Sequence, residues 1–146
     1  MVGPSRPTRG QADLAERVGE LLAEAGAVVV TGGMGGVMAA ASRGARRRGG
    51  LSLGLLPGTS RAEANEHLDV AIPTGLGEMR NALLVRACDA VISVGGSWGT
   101  LSEVALATRT GVPVVALDGW DLPHDGAPVS VRTPEEAVAQ VRTWLS

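Results

Sequence analysis

Glycines, hydroxyl side chains and one carboxylate are concentrated in Gly95-Gly96-Ser97-Trp98-Gly99-Thr100-Leu101-Ser102-Glu103, where the hydropathy pattern changes. Upstream, residues 89–94 form a short apolar, β-branched run that fits one buried strand. Downstream, Leu101, Val104, Ala105, Ala107 and Thr108 recur at helical spacing until Gly111. At a strand–glycine–helix junction the missing Cβ atoms let a ligand's oxygens approach the backbone. The helix also directs its unpaired N–H groups and positive dipole end at the same point. The pattern predicts an anion site, most naturally for phosphate, built from Gly95, Gly96, Ser97, Gly99 and Thr100. Thr100 contributes a hydroxyl as well as an N–H.

Glu103 has two readings. Thr100-x-x-Glu103 fits a capping box, with the carboxylate reaching back to a free N–H. A carboxylate beside a phosphate repels it, so in a pocket Glu103 would touch another part of the ligand, such as ribose hydroxyls or a water. Arg80 follows Gly75-x-Gly77 and heads an apolar-faced helix with Leu83, Leu84 and Ala87. Its planar fork suits phosphate or carboxylate, and Asn81 beside it suits a helix-start hydrogen bond. A second strand–glycine–helix junction, Gly32-Gly33-Met34-Gly35-Gly36, is expected to supply the other wall of one pocket. It is not a dinucleotide fingerprint, because Met38 stands at the third glycine and no acidic residue follows about 20 positions on. Gly95-x-Ser97-x-Gly99 also fits a nucleophile elbow, with Asp118 or Asp121 and then His124 in hydrolase order. The chain is short for that fold and crowds acid and base into one loop.

The chain has no lysine: all 13 basic residues are arginine. That excludes a P-loop lysine, a Schiff-base lysine and lysine-anchored pyridoxal phosphate. Three Trp, no Phe or Tyr, and a net charge of −2 argue against a nucleic-acid surface. Cys88 reads as a structural thiol, and His67 and His124 have no Cys or His neighbours at metal-ligand spacing. No run approaches the ~18 apolar residues of a membrane span, and no signal segment opens the chain, so a cytoplasmic location is expected. Arg43, Arg46, Arg47 and Arg48 read as a solvated face or a subunit contact.

These motifs are set in a helix–strand rhythm punctuated by glycine. Helices are expected over 8–25 (with Thr8-x-x-Gln11 as its cap), 37–48, 76–87, 100–108 and 134–145 (capped by Thr133-x-x-Glu136). Strands are expected over 27–31, 51–56, 69–72, 89–94 and 113–117, with 118–128 a loop. Alternation of this kind implies an α/β fold, an open parallel sheet with helices on both faces, here one Rossmann-like domain over 1–146. Ligands then bind beyond the strand carboxyl ends, where both glycine loops lie. Only Met1-Val2-Gly3-Pro4 precedes the first helix, so the first strand is a stub or the start is cut short.

Taken together, Gly32-Gly33-x-Gly35-Gly36-Val37-Met38, Gly75-x-Gly77-x-x-Arg80-Asn81 and Gly95-Gly96-x-x-Gly99-Thr100-x-x-Glu103 resemble the LOG superfamily, in consistent order over residues 10–120. That superfamily includes nucleotide phosphoribohydrolases and molybdenum cofactor carrier proteins. The hydrolase signature is Pro-Gly-Gly-x-Gly-Thr-x-x-Glu with an Arg-Lys pair upstream. Here Gly95 replaces the proline, Ser97 the second glycine and Asn81 the lysine, departures similar to the carrier-like branch. The resemblance implies a Rossmann-like, oligomeric protein, a homodimer or larger, with a phosphorylated small molecule between the glycine loops. The expected function is binding of a phosphorylated heterocycle, either a nucleotide or a pterin such as molybdenum cofactor, with no cofactor otherwise required. The alternative is hydrolysis of a nucleoside monophosphate to base and ribose 5-phosphate, with Arg80 holding substrate and Glu103 serving as the catalytic carboxylate.

Overall fold

A computed structural model describes residues 1–123 and 125–146. Helix α1 (Arg9–Glu24) opens on a reciprocal cap: Gln11 N donates to Thr8 Oγ1 and Thr8 N to Gln11 Oε1, each at 3.1 Å. Strand β1 (Val29–Thr31) leads through the first glycine loop into α2 (Val37–Arg47), which is followed by β2 (Ser52–Leu56) and β3 (Val70–Pro73). A single 3₁₀ turn, Gly77–Met79, precedes the short α3 (Arg80–Arg86), so the helix expected from residue 76 starts at Arg80 itself. Then come β4 (Val91–Val94), α4 (Trp98–Thr110), β5 (Val114–Leu117), β6 (Val129–Val131) and α5 (Pro134–Leu145). Strand β6 was not expected. Its three residues, Val129-Ser130-Val131, are too few to register as a periodic run, and pairing with β5 makes them a strand.

Strands β1-β2-β3 form one parallel sheet and β4-β5-β6 another. Met1 and Val2 lie between them. The Met1 amine donates to Val30 O at 2.9 Å, Val2 N donates to Ile92 O and Val94 N donates to Val2 O, both at 3.0 Å. This two-residue stub bridges the two sheets, in the order β3-β2-β1-stub-β4-β5-β6. Strand order reverses between the stub and β4, the point where open α/β sheets place their ligands.

Side chains alternate across this sheet as pleating requires. Met1, Ile92, Val94, Val115 and Leu117 pack with α1, α2 and α5 on one face. Val2, Val91 and Val114 pack with α3 and α4 on the other. The result is the expected α/β architecture with helices on both faces.

Helices α1 and α2 meet through glycine. A Cβ on Gly19 would fall on Ala41 O, and one on Gly44 on Glu16 O, so the two backbones touch. The arginine cluster lies along this crossing and is not a free basic face. Arg43 pairs with Glu16 at 2.7 Å, Arg47 also pairs with Glu16, and Arg48 pairs with Glu24 at 3.2 Å. Arg46 donates to Glu66 O at 2.8 Å. The Arg43 hydrogen bond and the neighbouring charges hold the Glu16 carboxyl below the usual carboxylate range.

Candidate functional site

The second glycine loop leaves the carboxyl end of β4. Gly95 takes φ of 73° and packs on the Gln11 side chain, and its N–H donates to Leu117 O at 3.0 Å. Ser97 caps α4: its Oγ accepts from Thr100 N at 3.1 Å and lies 2.8 Å from Thr100 Oγ1. The helix thus begins at Trp98, two residues earlier than expected, and Ser97-x-x-Thr100 takes the capping role. Leu101 N is satisfied by Ser97 O. The N–H groups of Trp98 and Gly99 have no acceptor among the described residues, and a Cβ on Gly99 would meet nothing nearer than 3.9 Å. This end of α4 is open.

The earlier start decides between the two readings of Glu103. It lies about one and a half turns into α4, beyond reach of the unpaired N–H groups at its start, so it does not cap the helix. It points inward, 8 % exposed, and faces Arg80 with Oε1 3.9 Å from Nη1. Burial raises its carboxyl to about 7, against the opposing pull of Arg80 and the Met1 amine. The sign follows from proton counting. Between pH 4.5 and about 7 the folded protein holds a proton at Glu103 that the unfolded chain has released. Glu103 should therefore contribute a fall in stability with rising pH across that window, on the order of 3 kcal/mol. The Met1 amine opposes it: burial lowers its pKa, so its own contribution rises with pH up to about 8. Glu103→Gln should remove the Glu103 contribution in urea denaturation at pH 5 and pH 8. Glu16 does not mask it, because its depressed pKa confines its own loss of stability to lower pH.

Arg80 begins α3 and is 6 % exposed. No group among the described residues accepts a hydrogen bond from its guanidinium. Its Nε is fully enclosed without a partner, and the only carboxylate near it is Glu103. Desolvation lowers its pKa. The other side of the guanidinium abuts Gly32, where a Cβ would collide with Nη1 and lie 2.9 Å from Cζ. Asn81, next to it, is half-buried and makes no side-chain hydrogen bond among the described residues.

The first glycine loop is shaped largely by packing. Gly33 (φ of 78°) sits against Gly54 and Leu56, and its N–H donates to Thr31 Oγ1 at 3.0 Å. Gly36 (φ of 65°) has the Pro4 and Ser5 carbonyls at the place of a Cβ, and Val37 N donates to Pro4 O at 3.1 Å. Gly35 faces open space. Asn65, which carries no sequence signature, pins the loop by donating from Nδ2 to Gly33 O at 3.2 Å and Met34 O at 3.0 Å.

The structure thus brings Gly32, Arg80 and Glu103 together. A separate cavity of about 150 Å³ opens beside the second loop, bounded by Gly95, Gly96, Ser97, Thr100, Trp120 and Asp121 among others. Neither the first glycine loop nor Arg80 and Glu103 line it, so the two loops do not form the walls of one cavity. Ser97, engaged in capping, is not poised as a nucleophile. Asp118 (φ of 53°) accepts from Gln11 Nε2 at 3.0 Å, and His124, the base of that reading, lies outside the described residues. Among the described residues no cluster of metal-ligating side chains occurs, and no helix is long and apolar enough to cross a membrane.

A doubly wound parallel sheet with glycine junctions and a buried arginine at its reversal point defines a Rossmann-like protein of the LOG type. Residues 1–143 match the SLOG cluster4 family, and the chain belongs to it. An uncharacterised protein of Archaeoglobus fulgidus is 45% identical over 125 residues, 86% of this chain and 81% of that one. Among solved structures, the molybdenum cofactor binding protein of Rippkaea orientalis superposes with a TM-score of 0.94 at 35% identity, covering 99% of this chain and 94% of that one. The molybdenum cofactor carrier protein of Chlamydomonas reinhardtii gives 0.88 at 32% identity, covering 99% and 95%.

Proposed function

We propose that this chain binds and carries a phosphorylated heterocyclic small molecule, a nucleotide or a molybdopterin-type cofactor, in the cytoplasm. The observation that carries the reading is the Arg80 guanidinium, buried with no hydrogen-bond acceptor among the described residues. A buried cation facing one carboxylate at 3.9 Å and making no hydrogen bond to a described residue is poorly compensated, and an arriving phosphate would supply the missing acceptors in a bidentate geometry. The open N–H groups of Trp98 and Gly99 at the start of α4 add donors of the same polarity. The similarity to molybdenum cofactor binding and carrier proteins supports a carried cofactor as the ligand. Held there, the cofactor would present its phosphate to Arg80, and its metal chemistry would be exercised elsewhere.

Thermal-shift measurements test this reading with inorganic phosphate, nucleoside monophosphates and isolated molybdenum cofactor. Binding to the folded state alone raises Tm, by about 2.7 kcal/mol of stability at a hundredfold excess over Kd. Gly99→Val should fold, since a Cβ there meets open space, yet weaken the shift by occupying the ligand's approach. No shift with any of these ligands would overturn the proposal.

A hydrolytic reading draws on Glu103, whose raised carboxyl beside Arg80 resembles a general acid. Release of free base from a nucleoside monophosphate, lost in Glu103→Gln, would establish it over carriage. The exposed apolar side chains of Leu76, Met79 and Leu83 along the turn into α3 support the assembly as a homo-oligomer that the family resemblance implies. Light scattering at micromolar concentration should give at least a dimer mass; a monomer would contradict it.

A further inference from the structure

The cavity beside α4 has a chemistry unlike that of the Arg80 site. Resting on the phosphate reading above, we propose that it takes the ring of the ligand. The ring is a flat heterocycle with the amino and ring N–H edge shared by guanine and the 2-amino-4-oxopteridines, held against Trp120 and read by Asp121.

The size fits one ring system, since about 150 Å³ is the scale of a cavity that admits benzene. The Trp120 indole forms one wall and is braced edge-on by Trp98, with ring centroids 5.1 Å apart at 76°. Gly96 makes room for it: a Cβ there would lie 2.5 Å from Trp120 Cδ1 and displace the ring. Leu101, Val104, Leu122 and Pro128 supply apolar surface around the remaining space. A planar aromatic ligand gains from such a wall by stacking, which any base provides, so Trp120 gives affinity without selectivity.

Selectivity comes from the polar groups, and most of them are already engaged. Ser93 Oγ donates to Val115 O at 3.4 Å, and the Ser97 and Thr100 hydroxyls hold each other at 2.8 Å. Among the described residues Asp121 is the one ionisable side chain lining the cavity, and none of them hydrogen-bonds or ion-pairs with it. A carboxylate only accepts, so it repels a phosphate and favours neighbouring N–H donors. Guanine and 2-amino-4-oxopteridines present two donors side by side, matching two carboxylate oxygens. Adenine presents a donor beside an acceptor, and that acceptor would face an oxygen. The ligand therefore lies across the first turn of α4, its phosphate on the Arg80 side and its ring on the Trp120 side. Gly95 and Gly96 before that turn and Gly99 within it carry no side chain to obstruct the ligand.

Calorimetric titration of guanosine 5′-monophosphate (GMP), adenosine 5′-monophosphate (AMP), guanosine and inorganic phosphate into the intact protein tests the assignment. GMP should bind about tenfold or more tighter than AMP, and Asp121→Asn should erase that preference while leaving inorganic phosphate binding unchanged. Trp120→Ala should weaken GMP, AMP and guanosine together. Equal affinity for GMP and AMP, or a preference that survives Asp121→Asn, overturns the ring site. If guanosine binds with the predicted dependence on Asp121 but inorganic phosphate does not bind, the phosphate reading fails and the ring site stands.

Discussion

Replacing Arg80 with methionine should sharply weaken binding of phosphorylated ligands and leave the fold intact. The guanidinium makes no hydrogen bond to a described residue, so its removal breaks none of these, and a methionine replaces the apolar stem of the side chain while vacating its charged end beneath Gly32. Glu103 is not stranded as a buried anion, because its raised pKa lets it accept a proton near neutral pH. An apolar residue in place of an imperfectly paired buried ion is often neutral or stabilising. The Tm of the free variant should match or exceed that of the parent. Loss of a desolvated charged contact should weaken phosphate-bearing ligands by about 2–4 kcal/mol, or roughly 30- to 1000-fold in Kd. Calorimetric titration with GMP, paired with a melt of the free protein, reads both halves. Unaltered affinity would remove Arg80 from the site, whereas an unfolded variant would show that the arginine is structural.

The second large effect concerns the scaffold. Gly44→Val should destabilise the protein by about 3 kcal/mol or more, because the new side chain would be driven into the Glu16 carbonyl at the crossing of α1 and α2. That corresponds to a Tm lower by on the order of 10 °C in a chain of this size. Gly10→Ala, on the open side of α1 with nothing nearer than Thr8 Oγ1 at 3.9 Å, should instead stabilise by about 0.5–1 kcal/mol. Urea denaturation of both variants checks the contrast. A mild effect at Gly44 would mean that the helices can separate without loss of the core.

Local signals carried much of this fold. The Thr8 and Thr133 caps, the alternation of short apolar runs with helical faces and the glycine punctuation are all written within a few residues, and each element they imply is present. The junctions at 32–36 and 95–99 were legible for the same reason. Misplaced features depend on partners distant in sequence. Thr100-x-x-Glu103 and Ser97-x-x-Thr100 are both plausible caps on local grounds, and only the docking of α4 shows that Ser97 is used and Glu103 turned inward towards Arg80. The ion pairs of the arginine cluster, read as a solvated face or subunit contact, were hidden because the carboxylates, Glu16, Glu20 and Glu24, lie on another helix. Asn65 and Trp120 act through contacts 31 and 24 positions away, at Met34 and Gly96, with no motif to announce them.

The central claim is that Arg80 is a phosphate site at the reversal point of the sheet. A crystal structure of the protein with GMP tests it most directly. The account predicts the phosphate within hydrogen-bonding distance of the Arg80 guanidinium, beside Gly32 and the start of α4. A nucleotide bound with its phosphate elsewhere, and the Arg80 guanidinium still without an acceptor, would contradict it.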